Sequence, residues 1–527
     1  MLQIKSTNKA IVFSMTLSLI AKILTLLQSQ VISISFGMQR STDILFSVLS
    51  MIMIVTSFVN TINQSVMVPS IIEVRNSRSE DESKKFISYI YVVYFIAASA
   101  IVAIMFMFPV NLFDAVLKYS TEEIKDNINI IRFIIPTFLL IIINQYVLDV
   151  FTSYRYFTLP MLLDMLKNML IIAFVLLFKD KLSVLSLAIG VFMGNLAQFV
   201  IVNILLFVKL KCRLSMKRFK LEQKAKTNIR YVVLGQVTKI VNDYIVIYLL
   251  SGFAAGVFTA MDYGQRINTV VASVLIGQIS TVIGLNFIDL YTKKKFEDLN
   301  NEFIKYFRLS LFFLLPFCFI MFLNAEYIIS ILFGWGKMTV DDVKVTGSFF
   351  RFFIMNLPAL FVDAMIVRLI IAKQIQKISF MWSTFSSVMT LAFMFVFVNT
   401  IGYIGYPVSL LVSNIIYMLL FIAFLVRKQF EFIDIKAIFR FILQNSLFNI
   451  GITVLIWYTV KDFLVYESLL GRFMAVAVIS IVYIAVYLVA GFLIKDNREI
   501  EKKIVEFIIN NAKRLFKNSS ARLKKEF

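Results

Sequence analysis

The chain has no histidine, 2 cysteines, 3 tryptophans and 7 prolines among 527 residues. Without an imidazole it lacks the usual nitrogen ligand for a metal, the usual general base near neutral pH and the middle member of a nucleophilic triad. Cys212 falls in a basic loop and Cys318 inside an apolar run, so a disulfide framework is not expected. No Gly-rich phosphate loop is present, which leaves no place to bind and split a nucleotide. Charge is also scarce, 16% of residues against 60% hydrophobic. These absences argue against an enzyme, a resident metal or a cofactor.

What the chain does have is apolar length. About fourteen mostly apolar runs follow one another, each long enough to cross a hydrocarbon core of about 30 Å as a helix. They cover residues 10–36, 44–74, 86–113, 130–153, 161–178, 182–208, 231–250, 261–290, 306–323, 349–372, 378–398, 403–426, 441–460 and 470–494. With a mean hydropathy of +0.84, the pattern specifies an all-α polytopic membrane protein. The first run is too long for the apolar segment of a cleaved signal.

The formal charge of +21 has a direction. With the N-terminus cytoplasmic, the inside segments hold about 36 Lys and Arg and the outside loops about 8, an asymmetry that follows the positive-inside rule. The expected topology therefore puts both termini in the cytoplasm. The basic loops are read as topology signals that also meet anionic lipid headgroups, not as a nucleic-acid surface.

The longest cytoplasmic connection, 209–230, is a natural seam. It separates an expected N-lobe, 1–208, from a C-lobe, 231–426, as in two-lobed transporters. Two further helices occupy 427–494. The tail, 495–527, reads as a basic amphipathic helix on the inner leaflet, with Ile500, Ile504, Phe507 and Ile508 on one face.

Ionisable groups inside membrane spans are costly and by default face a partner or a hydrated cavity. Lys22 lies mid-span with no acidic residue on its own helix, near Gln28 and Gln30. Asp43 opens the second span and Asp149 sits late in the fourth. Asp164 and Lys167 are three apart, whereas Lys239 and Asp243, and Asp262 and Arg266, are four apart. Asp363 and Arg368 share the tenth span. An intrahelical pair and a ligand site are both open for Lys239 and Asp243, as are capping and ligand contact for Asp43. The spread of both signs suggests a central hydrated cavity.

Six short stretches resemble the MurJ/MviN family of lipid-linked glycan flippases, within the multidrug/oligosaccharidyl-lipid/polysaccharide transporter superfamily. Ser33, Phe36 and Gly37 followed by Ser41-Thr42-Asp43-Ile44-Leu45-Phe46 are similar to its "FG…TDAFF". Gln64, Val68 and Pro69 resemble "SQAFVP", and Phe157-Thr158-Leu159-Pro160 with Asn168 resembles "FSIP…N". Met261 to Arg266 resembles "YADR", Leu332-Phe333-Gly334 with Lys337 and Thr339 resembles "LF..G.FT", and Ile401 to Gly405 resembles "LGHAG".

The resemblance implies two six-helix lobes around a cationic cavity, two C-terminal helices forming a groove for a polyprenyl tail, and residence in the bacterial inner membrane. It implies an undecaprenyl-diphosphate-linked glycan as substrate, carried from inner to outer leaflet by a monomer, with a coupling cation as a possible partner. Lys22, Gln28, Asp43, Lys239, Asp243 and Arg266 are the expected cavity residues. Arg266 matches a cavity arginine and Asp43 a first-loop aspartate. Lys22 and Gln28 stand where the family has arginines, and an Arg-Arg pair is replaced around Thr56 and Ser57. Arg and Lys are not equivalent at a bidentate diphosphate contact. A surface-polysaccharide unit therefore stands level with or ahead of lipid II as the expected substrate, and a multidrug antiporter of the same superfamily is the alternative.

Overall fold

The computed structural model describes residues 7–213, 223–373, 375–460, 468–502 and 506. The middle of the basic 209–230 linker and most of the amphipathic tail, including Ile504, Phe507 and Ile508, lie outside the described residues.

Among the described residues every regular element is helical. Eleven segments among the described residues are long and apolar enough to cross a membrane. One of them, Phe380–Gln429, has 50 residues, which as a single helix would be about 75 Å long, more than twice a hydrocarbon core. It is broken by a 3₁₀ turn at Gly402–Ile404. Gly402 there adopts φ +69°, a conformation that side chains disfavour, so the segment crosses twice. The helix Gln223–Leu250 and the run from Val257–Ala272 through a π-helical segment to Gln278–Thr292 complete the expected set of about fourteen.

Local signals set the boundaries. Ser79 accepts a hydrogen bond from the Glu82 amide and caps Glu80–Met107. Ser120 and Glu123 form a reciprocal capping box on Thr121–Asp126. Pro109 and Pro160 sit in first turns, where the missing amide hydrogen has no helical partner to lose.

By backbone proximity the chain divides into two compact units. The first comprises Met1–Val274, Leu332–Phe350 and Phe380–Leu410, and the second the remainder. In the first unit, Phe86, Ile90, Tyr146, Val150, Phe151, Leu163 and Leu206 form a continuous apolar core between four helices. In the second, polar groups stitch helices together. Tyr487 donates to the Phe312 carbonyl, Tyr483 to Asn449 Oδ1 at 2.8 Å, and Asn497 to Asn445 at 2.9 Å. Asp496 lies 3.4 Å from Arg308 and 3.7 Å from Arg440. Large apolar side chains such as Leu177, Met107 and Leu493 are more than 70% exposed, which in a membrane means contact with lipid.

Candidate functional site

All six residues singled out for a cavity fall in the first unit. Arg266, on the helix Val257–Ala272, is held at three points. Its Nε donates to Asp262 Oδ2 at 2.5 Å, its Nη1 donates to Ser29 Oγ at 3.2 Å, and its guanidinium lies over the Phe46 ring at 5.1 Å. Nη2 makes no hydrogen bond to any described residue, and the side chain stays 24% exposed. This is a preoriented guanidinium with donors to spare, the arrangement that suits an anionic ligand.

Lys22 is half-buried on the helix Thr7–Phe36 and has no acidic partner among the described residues. It is seven residues, two helical turns, before Ser29. That places it on the same helix face as the Arg266 contact, about 10 Å along the axis. The same face continues to Ser33, whose hydroxyl donates to the Phe333 carbonyl. Gln28 is buried beside Ser29 at 7% exposure.

Asp43 is fully buried and its carboxylate is filled by the protein. The Gly256 amide donates to Oδ2 at 2.6 Å, while the Thr259 amide and hydroxyl donate to Oδ1 at 2.8 and 2.6 Å. Asp43 therefore caps the start of Val257–Ala272 from the N-terminal turn of another helix, Arg40–Ile62. Gly256 allows the approach, since its φ is +92° and an added Cβ would sit 2.9 Å from Met38 Cβ. Arg40 completes the junction. It donates to Glu123 at 2.8 Å and to the Phe253 carbonyl at 3.1 Å, and it lies over Tyr119 at 5.2 Å.

Asp243 is half-buried and lines a cavity of about 230 Å³ with Ser50, Met53, Ser57, Gln265 and Tyr406. Lys239, one turn before it, is exposed, and no ion pair within 4 Å joins the two among the described residues. Of the other paired charges, Asp164 and Lys167 close at 2.8 Å.

Reading the sequence missed the groups that hold these residues: Ser29 and Phe46 for Arg266, Gly256 and Thr259 for Asp43. It also missed a polar cluster around Asp149. This carboxylate, 4% exposed, accepts from Asn63 at 3.0 Å, Gln64 at 2.6 Å and Gln145 at 3.1 Å. The amide spacing Asn60, Asn63, Gln64 on one apolar helix was the available signal.

The family model described as lipid II flippase MurJ matches residues 36–479. A probable lipid II flippase MurJ of Borreliella burgdorferi is 22% identical over 390 residues, covering 73% of this chain and 76% of that one. A probable lipid II flippase MurJ of Buchnera aphidicola is 24% identical over 355 residues, 64% of this chain and 68% of that one. Among solved structures, a lipid II flippase MurJ in an inward closed conformation superposes with a TM-score of 0.73 at 18% identity, over 90% of this chain and 98% of that one. An inward-facing multidrug resistance MATE transporter of the MOP superfamily gives 0.63 at 15% identity, over 80% and 96%. The fold is thus that of MOP-type transporters, and the match along most of its length shows that this multi-pass membrane protein belongs to the lipid II flippase MurJ family.

Proposed function

We propose that this protein carries an undecaprenyl-diphosphate-linked saccharide from the inner to the outer leaflet by alternating access, with Lys22 and Arg266 meeting the diphosphate. The observation that carries this reading is Arg266, fixed by Asp262, Ser29 and Phe46 with Nη2 left over. A diphosphate crossing a low-dielectric core needs fixed cations with spare donors. Lys22 supplies a second charge two turns along the same face of the first helix.

In this reading the lobes 1–208 and 231–426 rock about the cavity, and the helices in 427–494 flank the polyprenyl tail. The tail 495–527 lies on anionic lipid, and both termini are cytoplasmic. Asp243 and Lys239 border the cavity region, and Gln28 stands beside the phosphate contacts. Asp43 acts as a latch. On the expected orientation its junction with Gly256 and Thr259 lies at the outer face, where it shuts the exit while the cavity faces inward. The protein works as a monomer, and coupling to a cation gradient drives its return.

The test is translocation of lipid-linked substrates by purified protein in vesicles. Lys22→Gln and Arg266→Gln are expected to abolish flipping of lipid II or of a related lipid-linked unit, and Lys22→Arg to preserve it. Wild-type rates in both Gln variants would overturn the cationic-cavity mechanism. Efflux of cationic drugs without lipid transport would favour the antiporter reading.

A further inference from the structure

The Asp149 cluster is set apart from the other intramembrane charges by its three amide donors. Asp164 pairs with Lys167, Asp262 with Arg266 and Asp43 lies 3.7 Å from Arg40, whereas Asp149, like Asp243, has no cation within 4 Å among the described residues. A buried carboxylate in a membrane span is expensive, and here only neutral amides surround it.

The backbone is shaped to bring them there. Arg40–Ile62 passes into a π-helical segment, Asn63–Met67. Consecutive residues of a regular α-helix do not face the same way. At this π segment, however, Asn63 and its neighbour Gln64 both reach Asp149, one at each oxygen. Such segments are rare and occur disproportionately at functional sites. Gln145, one turn before Asp149, bridges it to Asn60, with Nε2 at 3.1 Å from Asp149 Oδ1 and 3.2 Å from Asn60 Oδ1. Tyr94 holds Asn63 by donating to its Oδ1 at 2.9 Å.

Access is built in as well. Gln64 is exposed, and Asn60 and Gln145 are half-buried. Ser50 and Ser57 on the same helix line the cavity that Asp243 borders. Ser50, Ser57, Asn60 and Gln64 follow at helical spacing, a polar stripe that leads from the cavity to Asp149.

We propose that Asp149, with the amide oxygens of Asn60, Gln64 and Gln145, binds one dehydrated monovalent cation of sodium size. The donor set is all hard oxygen, which suits sodium or lithium over soft metals. A single carboxylate balances a single charge, and among the described residues no group of three acidic or cysteine side chains gathers to hold a divalent ion. Binding requires Gln64 and Gln145 to turn their amide oxygens toward the ion, a rotation about one terminal torsion with a low barrier. The site gives the coupling cation of the proposed transport cycle a location, and in that respect it rests on that reading.

The experiment measures ion binding alone, so its failure is distinct from failure of the lipid-transport reading. The thermal transition of purified protein in detergent is followed in sodium, potassium and choline chloride at equal ionic strength. A ligand that binds only the folded state raises the midpoint with concentration. Sodium is expected to raise it saturably above the potassium and choline values. The increment is expected to vanish in Asp149→Asn and to need several-fold more sodium in Gln64→Ala, whose exposed side chain can be lost without unfolding. Equal midpoints in the three salts would overturn the proposal, as would a sodium increment that survives in Asp149→Asn. A midpoint that moves with pH and not with salt would assign the carboxylate to a proton and also overturn it.

Discussion

Removing the Asp43 carboxylate would strand the amides of Gly256 and Thr259 and the Thr259 hydroxyl in a fully buried place. Each buried donor left unmade costs about 1–3 kcal/mol, so Asp43→Ala is expected to destabilise the protein by about 3 kcal/mol, with Asp43→Asn milder because its carbonyl oxygen still accepts. The thermal midpoint of the purified protein checks this. A residue that only touched substrate would leave the midpoint unchanged and reduce transport alone, so the two roles separate cleanly. Arg266 is the opposite case. Its two protein contacts from Nε and Nη1 fix the plane of the guanidinium without using up its donors, which is why its neutralisation is expected to cost transport far more than folding.

Among the elements, glycines set two junctions, and they should respond differently to the same substitution. Gly402 has φ +69° and only Phe253 Cε1, at 3.9 Å, near an added Cβ. Gly402→Ala therefore carries only the left-handed backbone penalty, on the order of 1 kcal/mol. Gly256→Ala carries that penalty and also forces Cβ to 2.9 Å from Met38 Cβ and 3.3 Å from the Met38 carbonyl oxygen, which pushes Asp43 off its donors. The expected order of thermal midpoints is wild type, then Gly402→Ala, then Gly256→Ala. The reverse order would show that the Asp43 junction tolerates displacement and is no latch. Both glycines sit inside motifs or loops that the sequence already marked, but the reason each must be glycine is visible only from what approaches it.

At the scale of the whole molecule, topology can be tested with little engineering, because both native cysteines are buried. Burial pushes the Cys212 thiol up to about 11. A raised thiol pKa lowers the thiolate fraction at neutral pH, and the thiolate is the reactive form. Purified protein is therefore expected to react with maleimide at pH 7.4 much more slowly than an exposed cysteine would, and progressively faster as the pH is raised from 7 to 9. Against that slow background, Lys181→Cys, at an exposed position between two spans, is expected to label from outside intact cells. Lys293→Cys, also exposed, is expected to label only after permeabilisation. The opposite pattern would invert the orientation read from loop charge.

The sequence by itself determined the class, the helical architecture and the family. Those properties are written in run length, in the one-sided distribution of Lys and Arg, and in motifs short enough to read in order along the chain. It also nominated Lys22, Asp43, Asp243 and Arg266, since a charge inside an apolar run is conspicuous without any structure. What those charges touch was not legible. Ser29 lies 237 positions from Arg266 and Thr259 lies 216 from Asp43, and no local pattern encodes such a pairing. The amides around Asp149 escaped notice because neutral Asn and Gln do not stand out in a helix, and only a π-helical segment turns two neighbours toward one carboxylate. Hydrophobic transfer acts residue by residue and can be read along the chain. The division of buried charges into a capping carboxylate, a preoriented guanidinium and a carboxylate held by neutral amides depends on which helices lie side by side, and that only the tertiary structure decided.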